Sequence, residues 1–198
     1  MAGDVTNPAY ESMLRDRIAH LVRDIGIDGF KEDWLGGISR QKDLVLYGDL
    51  FGIEFLRRFQ AILHEETHRW KPDALIETQT PHPLFRESSD MLRLNDIWFG
   101  SRDPVTTHRI RARIARIAGW DLIDCDNASQ THAEGWWDYM LSQPSIGIPS
   151  LYFVSCTEST FETIPDFRWR YLAALWNDYI ADNVSPTPSP SPLTSTVQ

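Results

Sequence analysis

Short apolar stretches that carry an acidic residue at or near their C-terminal end recur along this chain, with amphipathic stretches between them. They are IDGFKED (27–33), ALIETQT (74–80), MLRLND (91–96), WDLIDCD (120–126) and SLYFVS (150–155), the last without the acidic end. Runs this short and this apolar suit strands buried on a face, and helical segments between them suit crossover connections. Because such crossovers are right-handed, the pattern predicts a parallel sheet with its helices packed outside it.

The intervening segments carry their own punctuation. Asn7 followed by Pro8 is a helix start; Leu14, Ile18, Leu21, Val22 and Ile25 then recur at helical spacing until Gly26 stops the run. A second helix is expected from Leu50 to about Trp70, with Phe55, Phe59, Ile62, Leu63 and Trp70 on its core face and Lys71 and Pro72 closing it. The stretch 81–90 is too short for a full crossover helix. Further helices are expected from Pro104 to about Ala118, from Ala133 to Leu141 and from Phe167 to Ala181.

Five strands of this kind build either an open doubly wound sheet or most of a barrel. Asp33, Glu77, Asp96, Asp124 and Asp126 all fall at the C-terminal ends of strands, the rim on which barrel enzymes gather catalytic side chains. No glycine-rich phosphate loop follows the first strand. The expectation is therefore an α/β fold, a partial (β/α)₈ barrel of about five parallel strands over residues 1–182. The Pro/Ser/Thr-rich stretch 183–198 is expected to be an extended, disordered tail.

Side chains alternate along a strand, so Lys31 and Asp33 point the same way, and a neighbouring lysine favours the ionised carboxylate that a nucleophile requires. A strand-end salt bridge without chemistry is the plain alternative. The stretch DVTNPAYESMLRDRIAHLVRDIGIDGFKEDW resembles the approach to the fourth strand in the clan of retaining α-glycosidases (α-glucosidases, α-xylosidases and α-galactosidases). Asp4, Thr6, Asn7 and Pro8 match that clan's opening, and Gly26, Asp28, Lys31 and Asp33 match its strand. The resemblance implies that Asp33 is the nucleophile.

MLRLNDIW looks like the same clan's sixth strand, which implies Asp96 as the acid/base with Arg93 nearby. Parity places Arg93 and Asp96 on opposite faces unless the strand end bends. A retaining glycosidase needs its two carboxyl groups about 5 to 5.5 Å apart across the scissile bond, one ionised and one protonated. Lys31, Glu77, Arg93, Asp124 and Asp126 are candidate contacts to sugar hydroxyls, and Trp34 and Trp98 candidate stacking surfaces; rim packing is the alternative for each. The expected partner is an α-glycoside carbohydrate, with no cofactor. The competing reading is a non-catalytic carbohydrate-binding or assembly module that keeps the rim without turnover.

The net charge of −9, with no cluster of Lys and Arg, argues against nucleic acid. No apolar run is long enough to span a bilayer, and no signal peptide is evident, so a soluble chain is expected, its compartment unknown. Cys125 and Cys156 lack metal-ligand spacing and read as small core residues. HEETH (64–68) matches a zinc-protease pattern. On a helical wheel its histidines lie with Arg57 and Ala61, away from the core face, and no metal site is expected. If residues 27–33 are a fourth strand, three earlier strands are missing. Self-association or a complementing chain through the exposed barrel edges is the corresponding expectation.

Overall fold

The computed structural model describes residues 3–33, 45–97, 103–126, 133–151, 156 and 161–184. Trp34, Trp98, most of the expected fifth strand and the tail from residue 185 lie outside these. The first helix, α1 (Pro8–Ala19), is capped by the Asn7 side chain and runs on as a π-helix to Ile25. Gly26, in the left-handed conformation at φ 85°, stops it.

Four strands follow: β1 (Gly29–Lys31), β2 (Leu75–Thr78), β3 (Met91–Arg93) and β4 (Leu122–Asp124). All pair in parallel, in the spatial order β1-β2-β3-β4. Helix α2 (Ile53–Trp70) connects β1 to β2, and α3 (Pro104–Ile117) connects β3 to β4. Only a 3₁₀ segment, Pro83–Ser88, lies between β2 and β3. After β4 come α4 (Ala133–Ser142), a 3₁₀ turn (Gln143–Ser145) and α5 (Asp166–Asn183). Ile148 makes one parallel bridge to Asp124, so the chain continues beyond β4 in the same sense.

The register sorts the two faces of the sheet. Phe30, Ile76, Leu92 and Ile123 point to one face, where they pack with Ile18, Val22, Phe55, Ile62 and Ala115 from α1, its π-helical extension, α2 and α3. Gly29, Lys31, Leu75, Glu77, Met91, Arg93, Leu122 and Asp124 point to the other. There Leu75 and Leu122 remain 37% and 43% exposed. A second apolar cluster joins Ile97 to Trp136, Tyr139 and Met140 of α4 and Leu172 of α5.

Two expectations for α2 change. Trp70 is not in the core: it is 39% exposed, with its indole N–H donating to Glu66 at 2.7 Å and the Arg23 guanidinium over its ring. The helix side carrying Arg57, Ala61 and His64 is only partly open to solvent: Arg57 is exposed, but Leu84, Glu87 and Ser88 of the 3₁₀ segment line a half-open cavity of about 150 Å³ against Ala61 and His64. No helix among the described residues is long and apolar enough to cross a membrane.

Candidate active site

The Asp-x-Thr-Asn-Pro opening acts as a clamp. Asp4 accepts from the Thr6 amide (2.9 Å) and hydroxyl (2.6 Å) and from the Tyr47 amide (2.7 Å), while Thr6 Oγ1 accepts from the Gly48 amide at 2.8 Å. Residues 45–48 are thereby tied to the start of α1, on the path from β1 to α2. Burial opposes ionisation of Asp4, but the Thr6 side chain and the two amides together hold its carboxyl below the usual range.

Gly29 opens β1 with φ 154°, and a Cβ there would lie 1.9 Å from the Leu75 carbonyl oxygen. Only glycine lets β1 approach β2 this closely. Lys31 then pairs in register with Glu77, and its Nζ lies 3.6 Å from Asp33 Oδ2. Asp33 is 47% exposed and reaches solvent at the strand's C-terminal end. Lys31 and Asp33 therefore do project together.

Arg93 is the hub of the rim. Nη2 lies 2.5 Å from Asp126, and Nη1 lies 3.5 Å from Asp124 and 4.0 Å from Glu77. Read from the sequence as sugar contacts, Arg93, Asp124 and Asp126 are instead buried and turned toward one another, because β2, β3 and β4 bring their ends together. One guanidinium faces three carboxyl groups, more negative charge than it can balance in a poorly hydrated site. Glu77 relieves the excess. Burial, then the hydrogen bond and negative charge of Asp124, push its carboxyl up to about 7 despite Arg93 and Lys31. The Tyr139 hydroxyl closes the network by reaching the carbonyls of Cys125 and Asp126 at 2.5 and 2.8 Å.

The parity problem at Asp96 is resolved by the backbone. Asn95 adopts φ 67°, so the strand alternation ends there and Asp96 is exposed beyond the turn. Asp126, at φ 60°, makes the equivalent turn after β4. Asn and Asp tolerate this conformation better than most residues, and such turns concentrate at functional sites. The Asn95 side chain donates to the Gln79 carbonyl at 3.0 Å, and Arg111 of α3 donates to the carbonyls of Leu94 (3.0 Å) and Asn95 (2.5 Å). His108, fully buried beside the Asn95 carbonyl, is pushed down to about 4 chiefly by burial and is neutral at pH 7. Ile97, anchored in the second apolar cluster, fixes the far side of Asp96.

One ionisable residue was not singled out from the sequence. Glu32 points to the helix-covered face, is 4% exposed, and neither carboxylate oxygen makes a hydrogen bond. Burial pushes its carboxyl up to about 8, with the Thr78 hydroxyl offsetting only part of the rise. That hydroxyl accepts from the Thr80 amide at 3.2 Å and lies near Glu32 without hydrogen-bond geometry. Strand parity applied to Lys31 and Asp33 already sends Glu32 inward, and this was the available signal.

Comparison with known protein families, with curated proteins and with solved structures finds no match to this chain.

Proposed function

We propose that the chain carries the catalytic rim of a retaining α-glycosidase, in a partial (β/α)₈ barrel, with Asp33 as nucleophile and Asp96 as acid/base. The observation that carries this reading is the separation of the rim into two kinds of group. Asp33 and Asp96 are exposed on strand ends flanking β2, while Arg93, Asp124 and Asp126 are buried in a network that the half-buried Glu77 joins at its edge. Neighbouring strands lie about 4.8 Å apart, so β1 and β3 are separated by roughly 10 Å. The double displacement requires the Asp33 and Asp96 carboxyl groups to lean inward from these strand ends to about 5 to 5.5 Å.

In the first step Asp33 attacks the anomeric carbon and the bond to the leaving oxygen breaks, with Asp96 donating its proton to that oxygen. Asp96 then takes a proton from water, whose oxygen attacks the same carbon and releases Asp33 with retention. Lys31 favours the anionic Asp33 and donates to a sugar hydroxyl. Glu77 contacts the sugar from the strand between, and Arg93, Asp124 and Asp126 act from beneath by fixing Glu77 and the strand ends. Trp34 and Trp98 offer stacking surfaces. The sequential strand order, with helices on one sheet face, supports the barrel over a doubly wound sheet.

A panel of 2-deoxy-2-fluoro-α-glycosyl fluorides followed by peptide mass spectrometry tests the assignment. The expected adduct is on Asp33 and is lost in Asp33→Asn. A label on any other residue removes the nucleophile assignment. The exposed Leu75 and Leu122 on the catalytic face favour one competing reading, a carbohydrate-binding module without turnover. Glycan binding unchanged by Asp33→Asn, with no hydrolysis, would select it.

A further inference from the structure

The HEETH histidines of α2 lie away from the helix's core face, yet the fold brings a third potential ligand to them. Asp90 immediately precedes β3, at the sheet end opposite the carboxylate rim. Its amide donates to the Ile76 carbonyl at 2.9 Å and its Oδ2 accepts from the Ile76 amide at 2.8 Å, so the carboxylate is fixed before any ligand arrives. His64 and His68 stand on successive turns of α2 with ring centroids 4.1 Å apart, both half-buried over it. The donor atoms of the three side chains all lie within 4.8 Å of one another.

Hydrogen bonding orients the cluster. His68 Nδ1 lies 3.0 Å from the His64 carbonyl oxygen, which has no proton to give, so Nδ1 is the donor. The other ring nitrogen, Nε2, lies 3.5 Å from Asp90 Oδ2. The two donor atoms face each other at a separation that one bound cation would bridge. An imidazole that donates Nδ1–H to a backbone carbonyl while offering Nε2 is the arrangement that orients histidine ligands at metal centres. His64, one turn earlier on the same helix, adds a second imidazole whose donor atom lies within the same 4.8 Å cluster.

We infer that His64, His68 and Asp90 form a binding site for a divalent transition ion of the zinc class. Two imidazoles and one carboxylate are the donor set that such ions take in tetrahedral geometry, at about 2.0 to 2.2 Å. His64 also lines a half-open cavity of about 150 Å³ with Arg57, Glu65, Leu84 and Glu87, which has room for water. The site is not that of a HExxH protease. Glu65, which would be the base, is engaged by Arg15 at 2.7 Å. Bound metal instead fastens α2 to the start of β3, a junction with only the short 3₁₀ segment beside it, and this stabilises the folded chain by mass action.

The full chain, stripped with a chelator, is titrated with Zn²⁺ by calorimetry and with Co²⁺ by visible absorption. One ion per chain is expected, with tetrahedral Co²⁺ bands and a rise in thermal midpoint on adding Zn²⁺. His64→Gln, His68→Gln and Asp90→Asn should each weaken binding at least about tenfold. Unchanged affinity in Asp90→Asn would reduce the site to a surface histidine pair and overturn the proposal; so would unchanged affinity in both histidine variants, or no binding at micromolar Zn²⁺. Because Asp90 also holds the Ile76 amide, its variant could unfold. His64→Gln, on a half-exposed helix position, then decides the matter by its own affinity and by circular dichroism.

Discussion

Arg93 keeps three carboxyl groups tolerable where water cannot screen them, and removing it should show this. In Arg93→Met the carboxylates of Glu77, Asp124 and Asp126 lose the cation within 4.0 Å of each. The cost expected near neutral pH is about 3–5 kcal/mol. Urea denaturation at pH 7 and pH 4.5 separates this from lost packing, because protonation of the carboxyl groups should recover much of the loss at the lower pH. Glu32 behaves differently. Its folded value of about 8 lies above the ordinary 4.5, so the unfolded chain releases the proton first and folding stability falls as pH rises between those values. The slope is about 1.4 kcal/mol per pH unit for this group, with Glu77 adding to it up to about pH 7. Glu32→Gln keeps the shape and removes the charge. We expect it to flatten the slope and to stabilise the protein at pH 8 by on the order of 2–4 kcal/mol, with little change at pH 4. An unaltered pH profile would mean that Glu32 reaches water.

Among the elements, β1 depends on one residue for its place in the sheet. Gly29→Ala would set a methyl carbon against the Leu75 carbonyl and demand φ 154° of an alanine. The pairing of β1 with β2 should loosen, at a cost of more than about 1 kcal/mol, and hydrogen exchange should speed up at Leu75 and Glu32, whose amides donate to Asp28 and Glu77 across that pairing. Periodicity made most elements legible: α1 stops at Gly26 through its π extension, and β2, β3, β4 and α3 fall within or almost on their predicted spans. It misplaced what depends on tertiary cover. The wheel grouped Arg57, Ala61 and His64 on one side correctly, but no local pattern announces that the 3₁₀ segment folds over that side or that Asp90 arrives beneath His68. In the same way, strand parity could not reveal the left-handed turn at Asn95, a conformation set by the clamp of Arg111 and His108 on its carbonyl. The carboxylates of the rim were legible as a set, because strand ends can be read from the sequence. Which of them would be buried was not, because that depends on Arg93 reaching three neighbours at once.

At the scale of the whole molecule, the two faces of the sheet differ in a way that governs how the chain behaves in solution. One face is sealed by α1, α2 and α3; the other places Leu75 and Leu122 below the charged rim, each more than a third exposed. In a closed barrel those positions would be interior layers. Apolar surface left open beside an unpaired strand edge drives association, and β1 is an edge of the sheet among the described residues. On the partial-barrel reading this face is where a complementing surface docks, and in a purified preparation that surface is a second copy. Sedimentation velocity over a range of concentrations should show reversible association. Leu75→Lys combined with Leu122→Lys should abolish it while changing stability by about 0.5 kcal/mol or less per site, since both side chains already reach water. The substitutions leave Asp33, Asp96 and the Arg93 network untouched, so any hydrolysis lost with association would show that the active rim needs the partner to enclose the sugar. A wild-type chain that stays monomeric at every concentration, with Leu75 and Leu122 accessible, would mean that the open face is complete as it stands, and the barrel comparison would lose its main structural support.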